Sequence, residues 1–107
     1  MNVTFEDFKK LDVRIRKILA AEKIEKTDRL LKLEVDLGDF KRQIVSGIAQ
    51  FYTPEDLIGK ECPFIVNLKP RIFKGVESQG MLFAVKVDDK AVLLHPDQEV
   101  PEGSPLI

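Results

Sequence analysis

One cysteine, one histidine and no tryptophan occur among the 107 residues of this chain. A lone cysteine excludes an internal disulfide and any cysteine-cluster metal site, so the fold must be held by its core. A lone histidine, His95, excludes a multi-histidine metal centre and leaves one candidate at most for a histidine relay. No apolar run approaches the roughly 20 residues needed to cross a bilayer. The start of the chain lacks the charged-then-apolar pattern of a leader. Phosphate loops, dinucleotide fingerprints and paired-carboxylate motifs are missing too. Neither a cofactor nor a metal nor a membrane partner is implied. The expectation is a binding module rather than an enzyme, working in the cytoplasm, where a free thiol stays reduced. Cys62 itself reads as a small buried hydrophobe.

What is present suits a single domain spanning residues 1–107 with one core. A net charge of −1 gives no overall pull on a polyanion. The distribution is less even. From Lys9 to Lys17 five cations face one acid, a local +4, and from Asp88 to Ile107 five acids face one cation, a local −4.

Thr4 is placed to cap a short helical start with Phe5 and Phe8 on one side. Leu11–Ile24 alternates in hydropathy, but the phase blurs over Lys17–Ala21. That predicts a long strand with a bulge, in competition with a helix over Ile15–Lys23. Leu31, Leu33, Val35 and Leu37 alternate with Lys32, Glu34 and Asp36, the pattern of a half-buried strand. Gly38-Asp39 turns the chain, and Arg42–Ala49 returns as the second arm of a hairpin. Ser46-Gly47 interrupts the apolar pattern of that arm, so a ligand or a neighbouring backbone is expected to approach there. Thr53-Pro54 followed by acids predicts a capped helical turn ended by Gly59. Pro63–Leu68 and Met81–Val87 read as strands, Asp88-Asp89 turns into Ala91–Leu94, and the stretch from Pro96 reads as irregular. Five or more short strands with one inserted helical turn predict an all-β barrel. A five-stranded OB-fold with short helical turns and an extended C-terminal segment fits best, and an SH3-like barrel almost as well.

The loop between those two strands carries the chemistry. Lys69, Arg71 and Lys74 face a single acid, Glu77. Cations that neutralise phosphates release condensed counterions, so a nucleic-acid backbone is the partner such a loop suits. Phe73 is the stacking candidate within it, whereas Phe51, Tyr52 and Phe64 read as core. Asn67 and Ser78 contact a ligand or satisfy loop backbone groups, and Met81 packs in a strand or meets an exposed base.

Four blocks carry a family resemblance: Leu30-Leu31-Lys32-Leu33-Glu34-Val35-Asp36-Leu37-Gly38, Arg42-Gln43-Ile44-Val45-Ser46-Gly47-Ile48-Ala49, Tyr52-Thr53-Pro54-Glu55-Asp56-Leu57-Ile58-Gly59-Lys60, and Asn67–Met81 with its Asn-Leu-Lys-Pro and Glu-Ser-Gln-Gly-Met ends. Together they resemble the tRNA-binding domain found at the C-terminus of many methionyl-tRNA synthetases, in endothelial monocyte-activating polypeptide and in free-standing structure-specific tRNA-binding proteins. The resemblance implies an OB-fold and a homodimer that binds the outer corner of tRNA by shape, alone or as the separate small subunit of a methionyl-tRNA synthetase. OB-folds bind nucleic acid over their middle strands and adjoining loops, which makes Lys32, Arg42, Ser46, Asn67, Lys69, Arg71, Lys74, Ser78, Gln79 and Met81 the candidate RNA contacts. Lys69 and Arg71 lead that set. Dimerisation is expected through Phe5–Leu11 and the tail around Val100–Ile107. A peptide-binding export chaperone of the CsaA type is the alternative. Two positions depart from the family pattern. Arg16 stands where a small residue is common and is expected to alter charge on the binding face, while Glu25-Lys26-Thr27 replaces a His-Pro turn and should change only a loop.

Overall fold

The structure is a computed structural model that describes residues 1–36 and 41–107; the expected Gly38-Asp39 turn lies outside the described residues. The hydroxyl of Thr4 accepts the Asp7 N–H and starts helix α1, Phe5–Lys9, which buries none of its residues. Strand β1, Val13–Lys23, follows, then β2, Leu31–Asp36, and β3, Lys41–Ser46. After α2, Pro54–Leu57, come β4, Glu61–Ile65, β5, Arg71–Phe73, and β6, Val76–Ser78. The chain continues through β7, Met81–Leu82, β8, Ala84–Val87, and β9, Lys90–Leu93.

Strand β1 organises the sheet. Its register slips between Ile18 and Ala20, which is the bulge expected of the blurred hydropathy phase. The bulge lets one strand serve two neighbours. Val13–Lys17 pairs antiparallel with β4, and Ile18–Lys23 pairs antiparallel with β2. The five-stranded order is β3-β2-β1-β4-β7, with β5-β6 and β8-β9 as separate hairpins. Alternation along β2 buries Leu31, Leu33 and Val35 against Ile18, Ile44, Leu57 and Phe64. Each such side chain contributes about 1.5–3 kcal/mol by leaving water.

The sheet curls into a near-barrel of OB type, and side chains close the gap between β3 and the segment before β7. The Val45 N–H donates to Ser78 Oγ at 2.9 Å, and that hydroxyl donates to the Gly80 carbonyl at 3.0 Å. Gln79 N–H donates to the Gln43 carbonyl at 2.8 Å, while Gln43 N–H donates to Gln79 Oε1 at 3.0 Å. Arg42 donates to the Val66 carbonyl at 2.6 Å.

Several strand bounds differ from the sequence reading. The return arm stops at Ser46 rather than Ala49, because Ala49 N–H turns away to donate to the Arg29 carbonyl at 3.0 Å. Strand β4 begins two residues before Pro63 and ends at Ile65, since the Val66 N–H is taken by the Asp12 carbonyl at 2.9 Å. Met81–Val87 is broken at Phe83, where the chain leaves β4 to form the β8-β9 hairpin. The presumed open loop after Asn67 contains the β5-β6 hairpin, turned by Lys74 at φ 51° and Gly75 at φ 80°.

The stretch from Pro96 is irregular but firmly attached. Ile15 N–H donates to the Ser104 carbonyl, Gly103 N–H to the Ile15 carbonyl and Leu106 N–H to the Val13 carbonyl, all at 2.9 Å. This arrangement corrects the expectation for Arg16. Its side chain is only 11% exposed, lies 3.8 Å from Glu102 and would touch a Cβ at Gly103, so it anchors the tail rather than adding charge to a binding face. Part of the polar charge distribution is thereby used inside the molecule.

Gly80 tests the closure. A Cβ there would sit 2.6 Å from the Ile65 carbonyl oxygen and 3.2 Å from Ile44 Cδ1. Gly80→Ala is expected to lower stability by about 1–3 kcal/mol in urea unfolding.

Candidate nucleic-acid interface

The closure sorts the predicted contacts. Ser78 is 4% exposed and its hydroxyl both accepts and donates within the barrel, so of its two readings the structural one describes it. Gln79 and Arg42 bond across the same gap. Asn67 accepts the Asp12 N–H at 2.8 Å and donates to the Lys10 carbonyl at 2.7 Å, pinning the end of α1 to the start of the loop. Ser46 closes β3 opposite Leu31. These groups hold the surface on which the others stand.

Lys69, Arg71, Phe73 and Met81 come together around a small cleft of about 60 Å³ beneath the β5-β6 hairpin, with Ser78 and Gly80 in its wall. The Arg71 guanidinium lies over the Phe73 ring, 4.9 Å from its centroid. One face of the ring is therefore covered by a cation. Among the described residues, Lys69, Arg71 and Lys74 make no ion pair. Ile72, 72% exposed on the same hairpin, is an apolar contact that the sequence reading passed over.

The sheet face differs. Lys32 lines an open groove of about 350 Å³ with Glu22, Glu34, Lys41, Arg42 and Gln43. Lys32 pairs with Glu22, and Lys41 lies 3.4 Å from Glu34. Such exposed pairs are worth about 0–1 kcal/mol each, so a phosphate can displace them, but the hairpin cations start without a competitor. Lys74 is separated from the Lys69 cleft. It lines a second opening with Lys26 and Arg29 from the β1-β2 turn. Neither of those was expected at the site, because only the folded chain brings residues 26–29 beside residue 74. The replaced turn at Glu25-Lys26-Thr27 thus bears on surface charge as well as loop shape.

Catalytic chemistry finds no support in the one cysteine–histidine approach. Cys62 Sγ lies 3.8 Å from His95 Nδ1, an encounter that sequence distance concealed. Nδ1 also lies 2.9 Å from the Glu61 carbonyl, which can only accept, so that contact puts the proton on Nδ1 and leaves it unable to take one from sulfur. Burial pushes the Cys62 thiol up to about 11, with Lys60 opposing in part. Among the described residues, no group of three or more His, Cys, Asp or Glu side chains is placed to hold a metal, and no helix is long and apolar enough to cross a membrane.

With this geometry in place, comparison with known proteins is decisive. The family model described as "Putative tRNA binding domain" matches residues 13–105. The chain belongs to this tRNA-binding domain family. It is 55% identical over 102 residues to the methionine–tRNA ligase of Archaeoglobus fulgidus, covering 95% of this chain and 16% of the ligase. Identity to the Thermotoga maritima methionine–tRNA ligase is 50%, with 95% and 16% covered. The chain therefore spans about one-sixth of the length of these relatives. Among solved structures it is similar to a MetRS related protein from Pyrococcus horikoshii, with a TM-score of 0.93, 42% identity and coverage of 100% and 99% of the two chains. It is also similar to the chaperone CsaA of Bacillus anthracis, with a TM-score of 0.88, 33% identity and 100% coverage of both chains. A tRNA-binding domain of this kind is a non-catalytic binding module.

The thiol provides a check on the core beneath the site. A raised folded value means that the protonated thiol favours the native state; that contribution is full below the ordinary value of 9.0 and is lost as pH rises through about 11. Native protein is expected to resist a thiol reagent at pH 8, and its urea stability should fall between pH 9 and 11. In Cys62→Ala that portion of the decline should flatten.

Proposed function

We propose that this chain is a structure-specific tRNA-binding protein that grips the outer corner of folded tRNA as a homodimer in the cytoplasm. It acts as one domain, alone or as the separate small subunit of a methionyl-tRNA synthetase. The observation that carries the reading is the β5-β6 hairpin, whose Lys69, Arg71 and Lys74 make no ion pair among the described residues and whose Phe73 lies under the Arg71 guanidinium. Fixed cations suit phosphates and 2′-hydroxyls of folded RNA, which is read by shape. Lys32 and Met81 extend the surface, with Arg42, Ser46, Asn67, Ser78 and Gln79 supporting it from the barrel.

Dimerisation is supported by apolar surface at one end of β1. Phe5, Phe8 and Leu11 are 67%, 43% and 45% exposed, and Leu106, whose N–H donates to the Val13 carbonyl, is 44% exposed. A dimer presents two basic hairpins to one rigid ligand, which gains by effective concentration. The wild type is expected to sediment as a dimer, with Phe8→Ser plus Leu106→Ser shifting it to monomer while the circular dichroism spectrum stays unchanged.

A second reading, a peptide-binding export chaperone, is favoured by the full-length similarity to CsaA. A salt titration of binding to folded bulk tRNA, with unfolded tRNA and an unfolded polypeptide as competitors, separates the two. Preference for folded tRNA is expected, with Lys69→Ala and Arg71→Ala each reducing the slope of log K against log salt by about one. Binding of the polypeptide without tRNA binding near physiological salt would overturn the tRNA reading in favour of the chaperone.

A further inference from the structure

Ser46-Gly47 interrupts an apolar strand pattern, and the fold supplies no internal reason for a glycine there. Among the described residues a Cβ at Gly47 would meet nothing within 4 Å, so none of their backbone approaches, and the residue is not among those with positive φ. Gly47 instead lines a cleft of about 470 Å³ together with Gln50 and Phe51 of the following turn, Lys86 and Lys90 of the β8-β9 hairpin, and Arg29. That volume falls in the roughly 300–1,000 Å³ range of small-ligand clefts.

The walls are held before any ligand arrives. Ala49 N–H donates to the Arg29 carbonyl at 3.0 Å, Phe51 N–H to the Ile48 carbonyl at 3.0 Å, and Leu93 N–H to the Tyr52 hydroxyl at 3.2 Å, which ties the β8-β9 hairpin to the same turn. Phe51, expected in the core, is 39% exposed. Three cations face one carboxylate, Asp89, in this cleft. Among the described residues none of Arg29, Lys86 and Lys90 makes an ion pair. Arg29 also lines the opening that holds Lys26 and Lys74, so the cleft and the opening beside the tip of the basic hairpin meet at this residue.

We infer that this cleft binds an unpaired nucleotide of the RNA held by the β5-β6 hairpin. Its base stacks on Phe51 over the open floor at Gly47, and its flanking phosphates meet Arg29, Lys86 and Lys90. An exposed ring beside uncompensated cations is the arrangement that single-stranded nucleic acid requires, because every base has a face to stack and every linkage a charge to neutralise. The inference rests on the tRNA-binding reading and extends it to a cleft lined by none of the candidate RNA contacts, at the Ser46-Gly47 break where a ligand or a neighbouring backbone was expected.

The test is binding of folded bulk tRNA, read by fluorescence anisotropy across a salt series, with thermal melting of each variant to establish folding. Phe51→Leu is expected to weaken binding by about 5- to 100-fold without changing the salt slope, and Phe51→Trp to restore it. Lys86→Ala should reduce the slope by about one. Gly47→Leu, which meets no protein atom within reach of its Cβ, should weaken binding by filling the cleft. If Phe51→Leu, Lys86→Ala and Gly47→Leu all bind as the wild type does while Lys69→Ala binds more weakly, the inference is overturned and the tRNA reading stands. Failure of the wild type to bind folded tRNA removes both.

Discussion

The hydroxyl of Ser78 receives the Val45 N–H and passes its own proton to the Gly80 carbonyl. With the Gln43–Gln79 exchange beside it, this contact joins β3, one edge of the sheet, to the segment that leads into β7, the other edge. An open edge leaves a row of unpaired backbone groups, and here side chains take the place of a full strand ladder. The consequence reaches the surface. Ser78 ends β6, so the bond that closes the barrel also fixes the base of the hairpin that carries Arg71 and Lys74. Gly80 belongs to the same constraint, since the close approach of the Ile65 carbonyl leaves no room for a side chain.

Charge is organised around that frame in three ways. On the sheet face it is balanced pairwise, as in Lys32–Glu22 and Lys41–Glu34. Along β1 it is balanced by the tail, where Glu102 lies near Arg16 and its carboxylate accepts the Lys17 N–H. On the hairpin, Arg71 and Lys74 make no ion pair among the described residues. A protein of net charge −1 thus carries a local excess of positive charge on this hairpin.

The same barrel is found in a MetRS related protein and in a chaperone. Fold therefore does not choose between RNA and peptide, and the decision falls to particular side chains. Cations on a hairpin that make no ion pair among the described residues suit phosphates. Apolar surface on α1 and the tail suits a second copy of the chain, because a small barrel cannot cover it alone.

Local pattern was enough for much of the architecture. Period-two hydropathy placed β2, the blurred phase placed the bulge in β1, and Thr53-Pro54 placed α2, because each depends on residues within a few positions of one another. The strand bounds at Ser46 and Ile65 were not legible, since a nearby N–H is taken by a distant carbonyl, nor was the break at Phe83, since different strands pair on its two sides. Lys69 and Arg71 were legible as a basic cluster, being neighbours in sequence. For Asn67 and Ser78 a structural duty stood as one of two readings, but the partners of these residues and of Gln79 were not legible, because they lie 36 to 57 residues away in Gln43, Asp12 and Lys10 or 33 away in Val45. By itself the sequence determined a β-barrel with a basic loop, since alternation and charge are properties of short stretches. Only the tertiary structure decided which polar groups are bound up in closing the barrel and which remain for a ligand, since that depends on what the closing chain brings within hydrogen-bond reach.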